Sequence, residues 1–162
     1  MYKRQLIEDA VTQGQINAAS LLVARFGRVA LRAGFGALRP EPGSEAVSAN
    51  SVYLLASITK PLTAVALMIL VDRGLVSLDD PVSLHLPEFI GAARSKIKLR
   101  QLLSHTSGMR DMLPNNVDLR RTHRPLSDFV EGALRTNLLY EPGTSFRYQS
   151  KGILLAAEIV ER

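Results

Sequence analysis

The pattern of hydrophobic and polar positions predicts one helix and one β-hairpin in the first third of the chain. Residues 2–13 carry apolar side chains at helical spacing with polar residues between them, which is typical of an amphipathic helix. Two apolar runs, Ala19–Ala24 and Arg28–Phe35, flank a Phe-Gly pair at 26–27, and this arrangement predicts antiparallel strands joined by a tight turn. Residues 36–50 hold two prolines, two glycines and two serines, so we expect a loop there.

The rest of the chain shows helical spacing almost throughout. Residues 57–73 form the longest such stretch. Because this stretch has little polar surface, we expect a largely buried helix, and Gly74 is the expected C-cap. Shorter helices are predicted over 99–105, 127–139 and 152–160. Gly108 is expected to end the first of these, and residues 109–124 are expected to be irregular.

Composition indicates a globular protein and narrows the choice of partners. Of the 162 residues, 46% are hydrophobic and 22% are charged, and there is no cysteine, which excludes disulfides and thiolate chemistry. The net charge of +5 is scattered and has no interleaved aromatics, which favours a solvated basic face over nucleic-acid binding. No apolar run approaches the roughly 20 residues that span a bilayer, and the N-terminus is unlike a secretory signal. We therefore expect neither a nucleic-acid nor a membrane partner and a cytoplasmic location, or a periplasmic one if a signal was removed.

The pair Ser57 and Lys60 is the first candidate for chemistry. On a helix, residues three apart share a face, so the hydroxyl and the amine lie side by side. A serine hydroxyl becomes a good nucleophile when a base takes its proton, and a lysine amine is such a base only when it is neutral. The N-terminus of the following helix adds unpaired N–H groups and a positive dipole end, which oppose protonation of Lys60 and help to hold an oxyanion.

The Ser-x-x-Lys pattern by itself is weak, because this sequence contains it twice. Ser95 and Lys98 are the second pair, in a charged stretch that is expected to be exposed. Lys60 instead precedes a long apolar helix, where a charged side chain is unexpected unless it has a specific role. From these residues alone, a catalytic Lys60 and a snorkelling Lys60 are equally supported.

Three longer stretches give the pair its context. They are ASITKPLTAVALMILVDRGLVSLDDPVSLHLPEF, IKLRQLLSHTSGM and LYEPGTSFRYQSKGILLAAEIVER. Together, and in this order and spacing, they resemble the serine β-lactamase and penicillin-binding-protein-like superfamily, in particular its class C β-lactamase, D-Ala-D-Ala peptidase and family VIII esterase branch. The resemblance is strongest from Ser51 to Arg162. It implies an α/β (α+β) fold of the β-lactamase/transpeptidase type, an antiparallel sheet with a helical region.

The resemblance also implies roles for individual residues. Ser57 matches the acylated nucleophile, Lys60 its activating base, and Tyr148 the tyrosine that shares proton transfer with the lysine. Without the resemblance, Tyr148 is more simply explained as a tyrosine at the edge of the core. Ser150 matches a substrate-binding position where the family often has asparagine. A hydroxyl lacks the reach and the amide pair of asparagine, which disfavours β-lactam hydrolysis more than ester hydrolysis.

The three histidines do not point to further chemistry. His105 lies in the stretch where the resemblance implies a support for the helix end, with side chains bonded to loop backbone. His85 and His123 are in loop-like surroundings without metal-ligand spacing. We expect no metal and no organic cofactor.

The sequence is expected to be the N-terminal part of one catalytic domain. The family's Lys/His-x-Gly motif, its strand and the neighbouring strands and final helix have no counterpart in residues 1–162. We expect residues 1–50 to form a helix and a hairpin of the sheet, residues 51–162 to be mostly helical, and a second chain to be one possible source of the remaining strands.

The predicted function is a serine hydrolase that acts through an acyl-enzyme on ester substrates. A β-lactamase or a D-Ala-D-Ala peptidase is the alternative within the same chemistry, with an amide or β-lactam substrate. A non-catalytic binding or regulatory module that keeps the fold, or an inactive fragment, is the alternative of another class.

Overall fold

The computed structural model describes residues 2–162, and the chain divides between Leu54 and Leu55 into two compact units. The first unit contains α1 (Tyr2–Thr12), β1 (Ala18–Arg25) and β2 (Arg28–Gly36). The second unit contains α2 (Thr59–Asp72), α3 (Val82–His85), α4 (Leu99–Leu103), α5 (Asn116–Arg121), α6 (Leu126–Leu134) and α7 (Lys151–Glu161), with 3₁₀ turns at Ala56–Ile58 and Arg94–Lys96. Over the described residues, no helix is both long enough and apolar enough to cross a membrane.

The predicted hairpin is confirmed. Strands β1 and β2 pair antiparallel in a register that runs from Ala18 opposite Gly36 to Arg25 opposite Arg28. The two turn residues, 26 and 27, both have positive φ, as the tight turn that matches strand twist requires. An irregularity between Val23 and Ala24 shifts the register within β1.

Helix α2 ends as the sequence predicts, but it begins at Thr59, two residues after the predicted start, because Ser57 lies in the 3₁₀ turn before it. Its third residue is Pro61, which is tolerated in a first turn because the early N–H groups have no partner within the helix. Gly74 follows its end with φ +69°. The Gly74 N–H donates to the Val71 carbonyl (2.9 Å) and the Leu75 N–H to the Leu70 carbonyl (3.0 Å), the paired bonds of a Schellman cap.

The core of the second unit forms around α7, which packs against α2, α4 and α6. Residues from every one of these helices are fully buried there. They include Leu67, Leu102, Ala133, Leu155 and Ala156. Each large aliphatic side chain in this cluster contributes about 1.5–3 kcal/mol relative to exposure. The start of α7, and the segment that leads into it, are therefore held by the best-packed part of the unit.

The prediction that α2 is largely buried is wrong. Leu67 is its one fully buried residue, whereas Leu62 and Val65 are 60% and 59% exposed. A helix is buried only where another element packs on it, and α2 packs on α7 along one face. The sequence shows that α2 is apolar all round but not which faces are covered.

Three predicted boundaries also need correction. Residues 109–124 contain α5, whose six residues are too few for a periodic signal. The helix over 99–105 ends at Leu103 and is followed by His105 at φ +60°, so Gly108 does not end it. The helix over 127–139 ends at Leu134, because the chain beyond it turns extended and Leu138 pairs with Met109.

Gly108 and Gly74 provide a matched test of this packing. Both have positive φ, but a Cβ at Gly108 would lie inside contact distance of the Tyr140 carbonyl oxygen, whereas a Cβ at Gly74 meets nothing within 4 Å. We expect Gly74→Ala to lower the free energy of unfolding by about 1–2 kcal/mol, the cost of a left-handed alanine. Gly108→Ala should lower it by at least about 3 kcal/mol because it adds a backbone clash. Urea unfolding of the two variants measures the difference, and equal losses would contradict the close approach at Gly108.

Candidate active site

Ser57 and Lys60 lie beside each other at the start of α2. Ser57 is in the 3₁₀ turn that leads into the helix, and Lys60 is the second residue of the helix. Lys60 Nζ donates a hydrogen bond to Ser57 Oγ at 3.1 Å. The residue before the serine, Ala56, has φ +47°, a conformation that costs an L-residue about 1–2 kcal/mol. Strained backbone of this kind clusters at functional sites.

Tyr148 reaches the same oxygen from a distant part of the chain. Its hydroxyl donates to Ser57 Oγ at 2.8 Å, across 91 residues of sequence. Tyr148 lies in residues 145–149, which are neither helix nor strand and lead directly into α7. The packing of α7 against α2 therefore brings the phenol to the serine. Ser57, Lys60 and Tyr148 converge on one oxygen atom.

The electrostatics of this trio lower the pKa of the Tyr148 phenol. Hydrogen bonding with Lys60, followed by hydrogen bonding with Ser57, holds the pKa of Tyr148 below its usual value of 10. Lys60 Nζ also lies 4.8 Å from the centre of the Tyr148 ring. Over the described residues, Ser57 and Tyr148 are exposed and Lys60 is half-buried, so the serine hydroxyl is open to solvent.

The trio lines a cavity of about 350 Å³. Its other walls come from α2, from the end of α4 and from α7. They are Pro61, Ala64, Leu103, His105 and Ile153. A cavity of this size, mostly apolar with a few convergent polar groups, is typical of a site for a small molecule.

The structure places Ser150 outside that cavity. Ser150 lines a neighbouring cavity of about 310 Å³ together with Asp111, Phe129 and Leu154. Its backbone N–H donates to the Asp111 carboxylate at 2.7 Å, which fixes the residue just before α7. Of the four residues that the sequence nominated, three share the cavity at Ser57 and the fourth lies beside it.

The second Ser-x-x-Lys pair is not a second site. Ser95 is in the 3₁₀ turn Arg94–Lys96 and its hydroxyl donates to the Ala92 carbonyl at 3.4 Å. Lys98 Nζ instead forms an ion pair with Asp79 at 3.0 Å. The same spacing thus gives a hydroxyl–amine contact at residue 57 and none at residue 95, because only residue 57 opens a long helix.

Gln149 supports the site, although nothing in the sequence marked it. It is fully buried, and its side-chain amide donates to the Ser107 hydroxyl (3.2 Å) and the Leu102 carbonyl (3.4 Å). Its side-chain oxygen accepts the Gly152 N–H at 2.6 Å. A buried amide is costly unless it is paired, so these bonds fix the residue next to Tyr148. A single glutamine carries no signal in a sequence until its partners are known.

Comparison with known proteins identifies relatives of this chain. The chain is 29% identical over 159 residues to the protein flp of Staphylococcus aureus, covering 96% of this chain and 32% of flp. It is 29% identical over 174 residues to the esterase EstB of Burkholderia gladioli, covering 97% of this chain and 43% of EstB. The chain therefore spans well under half the length of these relatives.

A solved structure shares the fold as well as the sequence pattern. EstCE1, described as a hydrolase with promiscuous acyltransferase activity, superposes with a TM-score of 0.76 at 28% identity, over 97% of this chain and 46% of EstCE1. The Beta-lactamase family model matches residues 4–162. The resemblance seen in the sequence and the β-lactamase/transpeptidase-like fold are thus confirmed, and the chain belongs to the Beta-lactamase family as a part of its full-length fold.

Proposed function

We propose that this chain carries the nucleophile and the proton-transfer groups of a serine hydrolase that acts on esters through an acyl-enzyme. The observation that supports the proposal is the convergence of Lys60 Nζ and Tyr148 Oη on Ser57 Oγ, at 3.1 and 2.8 Å. A nucleophile within hydrogen-bond reach of its base is the arrangement that acyl transfer needs. The esterase EstB among its relatives agrees with this class of reaction.

Acylation begins with proton transfer inside the trio. Ser57 Oγ forms a bond to the substrate carbonyl carbon while its proton passes to the Lys60–Tyr148 pair. The acceptor is either a neutral Lys60 beside a protonated Tyr148, the state in which Tyr148 donates to Ser57 Oγ, or a Tyr148 phenolate beside the Lys60 ammonium. The bond from the carbonyl carbon to the leaving oxygen then breaks, and that alkoxide takes the proton. In the second half of the reaction, water forms a bond to the acyl carbon and gives its proton to the same pair of groups. The bond from the acyl carbon to Ser57 Oγ then breaks and Oγ takes the proton, so the acid and free Ser57 are released.

The substrate class that we propose is a short-chain acyl ester. Ser150 stands where the family often carries asparagine. It does not line the cavity that contains Ser57, but the neighbouring cavity. A site without that amide has fewer groups to hold the amide side chain of a β-lactam. A β-lactam or D-Ala-D-Ala peptide substrate is the alternative within the same chemistry.

Activity is proposed to need more of the family fold than residues 1–162. The chain spans 32–43% of its curated relatives. The apolar face of α2 that carries Leu62 and Val65 is exposed over the described residues. We propose that the family's remaining strands, on the same chain or on a second one, cover this face and supply a second oxyanion donor beside the Ser57 N–H. One such donor is worth about 10²–10³ in rate.

The first prediction tests the nucleophile. In the full-length protein, Ser57→Ala should abolish labelling by a fluorophosphonate probe and lower hydrolysis of p-nitrophenyl acetate and butyrate by at least about 10³-fold. Ser95→Ala is the matched control, because Ser95 has the same spacing to a lysine and should change neither measurement. Labelling that persists in Ser57→Ala would overturn the assignment. Turnover of a cephalosporin with both esters untouched would overturn the ester substrate.

The second prediction tests the Lys60–Tyr148 coupling. Lys60→Met should raise the pKa of Tyr148, because the ammonium is the largest cause of its lowering. The rise should appear as a tyrosinate absorbance that develops at higher pH, after subtraction of the same titration in Tyr148→Phe. Lys98→Met is the control, since Lys98 pairs with Asp79 and should leave the titration unchanged. An identical midpoint in the wild type and Lys60→Met would show that the two groups are not coupled.

The third prediction tests whether α2 is covered in the full-length protein. Val65→Asp on α2 and Val117→Asp on α5 replace residues that are both exposed in the described chain, by 59% and 74%. If strands cover α2, Val65→Asp buries an unpaired carboxylate and should cost at least about 3 kcal/mol in the free energy of unfolding. Val117→Asp should stay within about 0.5 kcal/mol of the wild type. Small and equal effects of both changes would contradict a covered face.

A further inference from the structure

His105 lies in a backbone conformation that calls for an explanation. It follows α4 with φ +60°, and the N–H of the next residue, Thr106, closes the helix end on the Gln101 carbonyl at 3.0 Å. Glycine is the usual residue at such a position because it has no side chain to strain. A histidine there keeps an imidazole at a cost in backbone free energy of about 1 kcal/mol. Because this conformation is unfavourable, we expect the imidazole to have a role that offsets its cost.

The imidazole packs directly on the catalytic phenol. Its ring centre lies 4.7 Å from that of Tyr148, with the planes tilted by 40°. The Phe146 ring meets the imidazole edge to face, with centres 5.9 Å apart. Aromatic pairs at these separations are attractive and fix relative orientation. Both partners of His105 come from residues 145–149, the segment that no helix or strand supports.

His105 also holds the peptide groups on either side of Tyr148. The Arg147 N–H donates to the His105 carbonyl at 2.9 Å, and the Gln149 N–H donates to His105 Nδ1 at 3.4 Å. His105 thus contacts four successive residues of the segment, 146–149, through its carbonyl, a ring nitrogen and its ring. This fixes where the phenol hydroxyl lies with respect to Ser57.

We propose that His105 is a positioning residue for Tyr148, and that only its neutral imidazole holds the phenol in line with Ser57 Oγ. This inference rests on the proton-transfer role proposed for Tyr148. Nδ1 accepts a hydrogen bond only while it carries no proton, so the neutral ring has its proton on Nε2. A protonated ring has two donors and no acceptor, and it would repel the peptide N–H of Gln149.

The surroundings of His105 keep the ring neutral at ordinary pH. Three titratable groups face it: Lys60 from α2, Asp111 from the loop after Met109, and Tyr148. Partial burial and then the charge of Lys60 lower its pKa below the usual 6.5, while contact with the Gln149 backbone and then the charge of Asp111 act in the opposite direction. The positioning contact therefore persists below pH 6.5 and is lost as the pH falls through the lowered pKa.

The closing experiment uses the full-length protein and a matched pair of variants. His105→Asn suits the left-handed backbone and can still accept a hydrogen bond, but it has no ring and does not titrate. His123→Asn is the control, because His123 is also left-handed, at φ +50°, and is exposed. We expect His105→Asn to lower kcat by about 10- to 100-fold with little change in KM, and to remove the acid limb of the kcat profile. If kcat and the acid limb match those of His123→Asn, the inference is wrong.

A measurement that does not need catalysis separates this inference from the proposed function. With ¹³C-labelled tyrosine, the Tyr148 resonance is identified by its loss in Tyr148→Phe. In the unmodified protein it should shift with the His105 titration below pH 6.5, and in His105→Asn that shift should disappear. A Tyr148 resonance that does not respond to the His105 titration overturns the inference, whether or not esters are hydrolysed. Absence of Ser57-dependent hydrolysis, with the shift present, overturns the proposed function alone.

Discussion

The hydrogen bond from Tyr148 to Ser57 is the interaction on which the site depends. At 2.8 Å it joins positions 91 residues apart, whereas the Lys60 contact to the same oxygen is local. A phenol on an irregular segment stays at a fixed place only if both ends of the segment are fixed. The end of α4 and the start of α7 provide this, and both belong to the buried core. Helix packing thus determines the distance between the two oxygen atoms of the candidate site.

The trio combines an exposed serine hydroxyl with supports that are buried. Exposure of Ser57 and Tyr148 leaves room for a substrate, but water weakens the electrostatic coupling between exposed charges. The position of Tyr148 is instead fixed by its neighbour Gln149, which is fully buried and forms hydrogen bonds with three backbone and side-chain groups. Ala56 and His105 also hold unfavourable positive φ values. Ala56 directly precedes Ser57 and His105 packs on Tyr148, so both strained residues support the candidate site.

Sequence reasoning succeeded where interactions are local. The hairpin, the start of α2 and its Schellman cap at Gly74 depend on residues within a few positions of each other, so their patterns can be read directly. It failed where burial depends on a distant partner: α2 is apolar all round, yet packs along one face. It also failed where a short element has too few residues for a period, as in α5, and where the extended pairing of Leu138 with Met109 ends α6 early.

The same division applies to the site. By itself the sequence determined that Ser57 and Lys60 share a face, because three residues on a helix make nearly one turn. It could not separate this pair from Ser95 and Lys98 without the longer family stretches. The tertiary structure decided that Tyr148 meets Ser57, that His105 contacts Tyr148, and that Ser150 borders a neighbouring cavity. These placements follow from the packing of α7 against α2 and α4, and side-chain packing between distant segments has no periodic trace in a sequence.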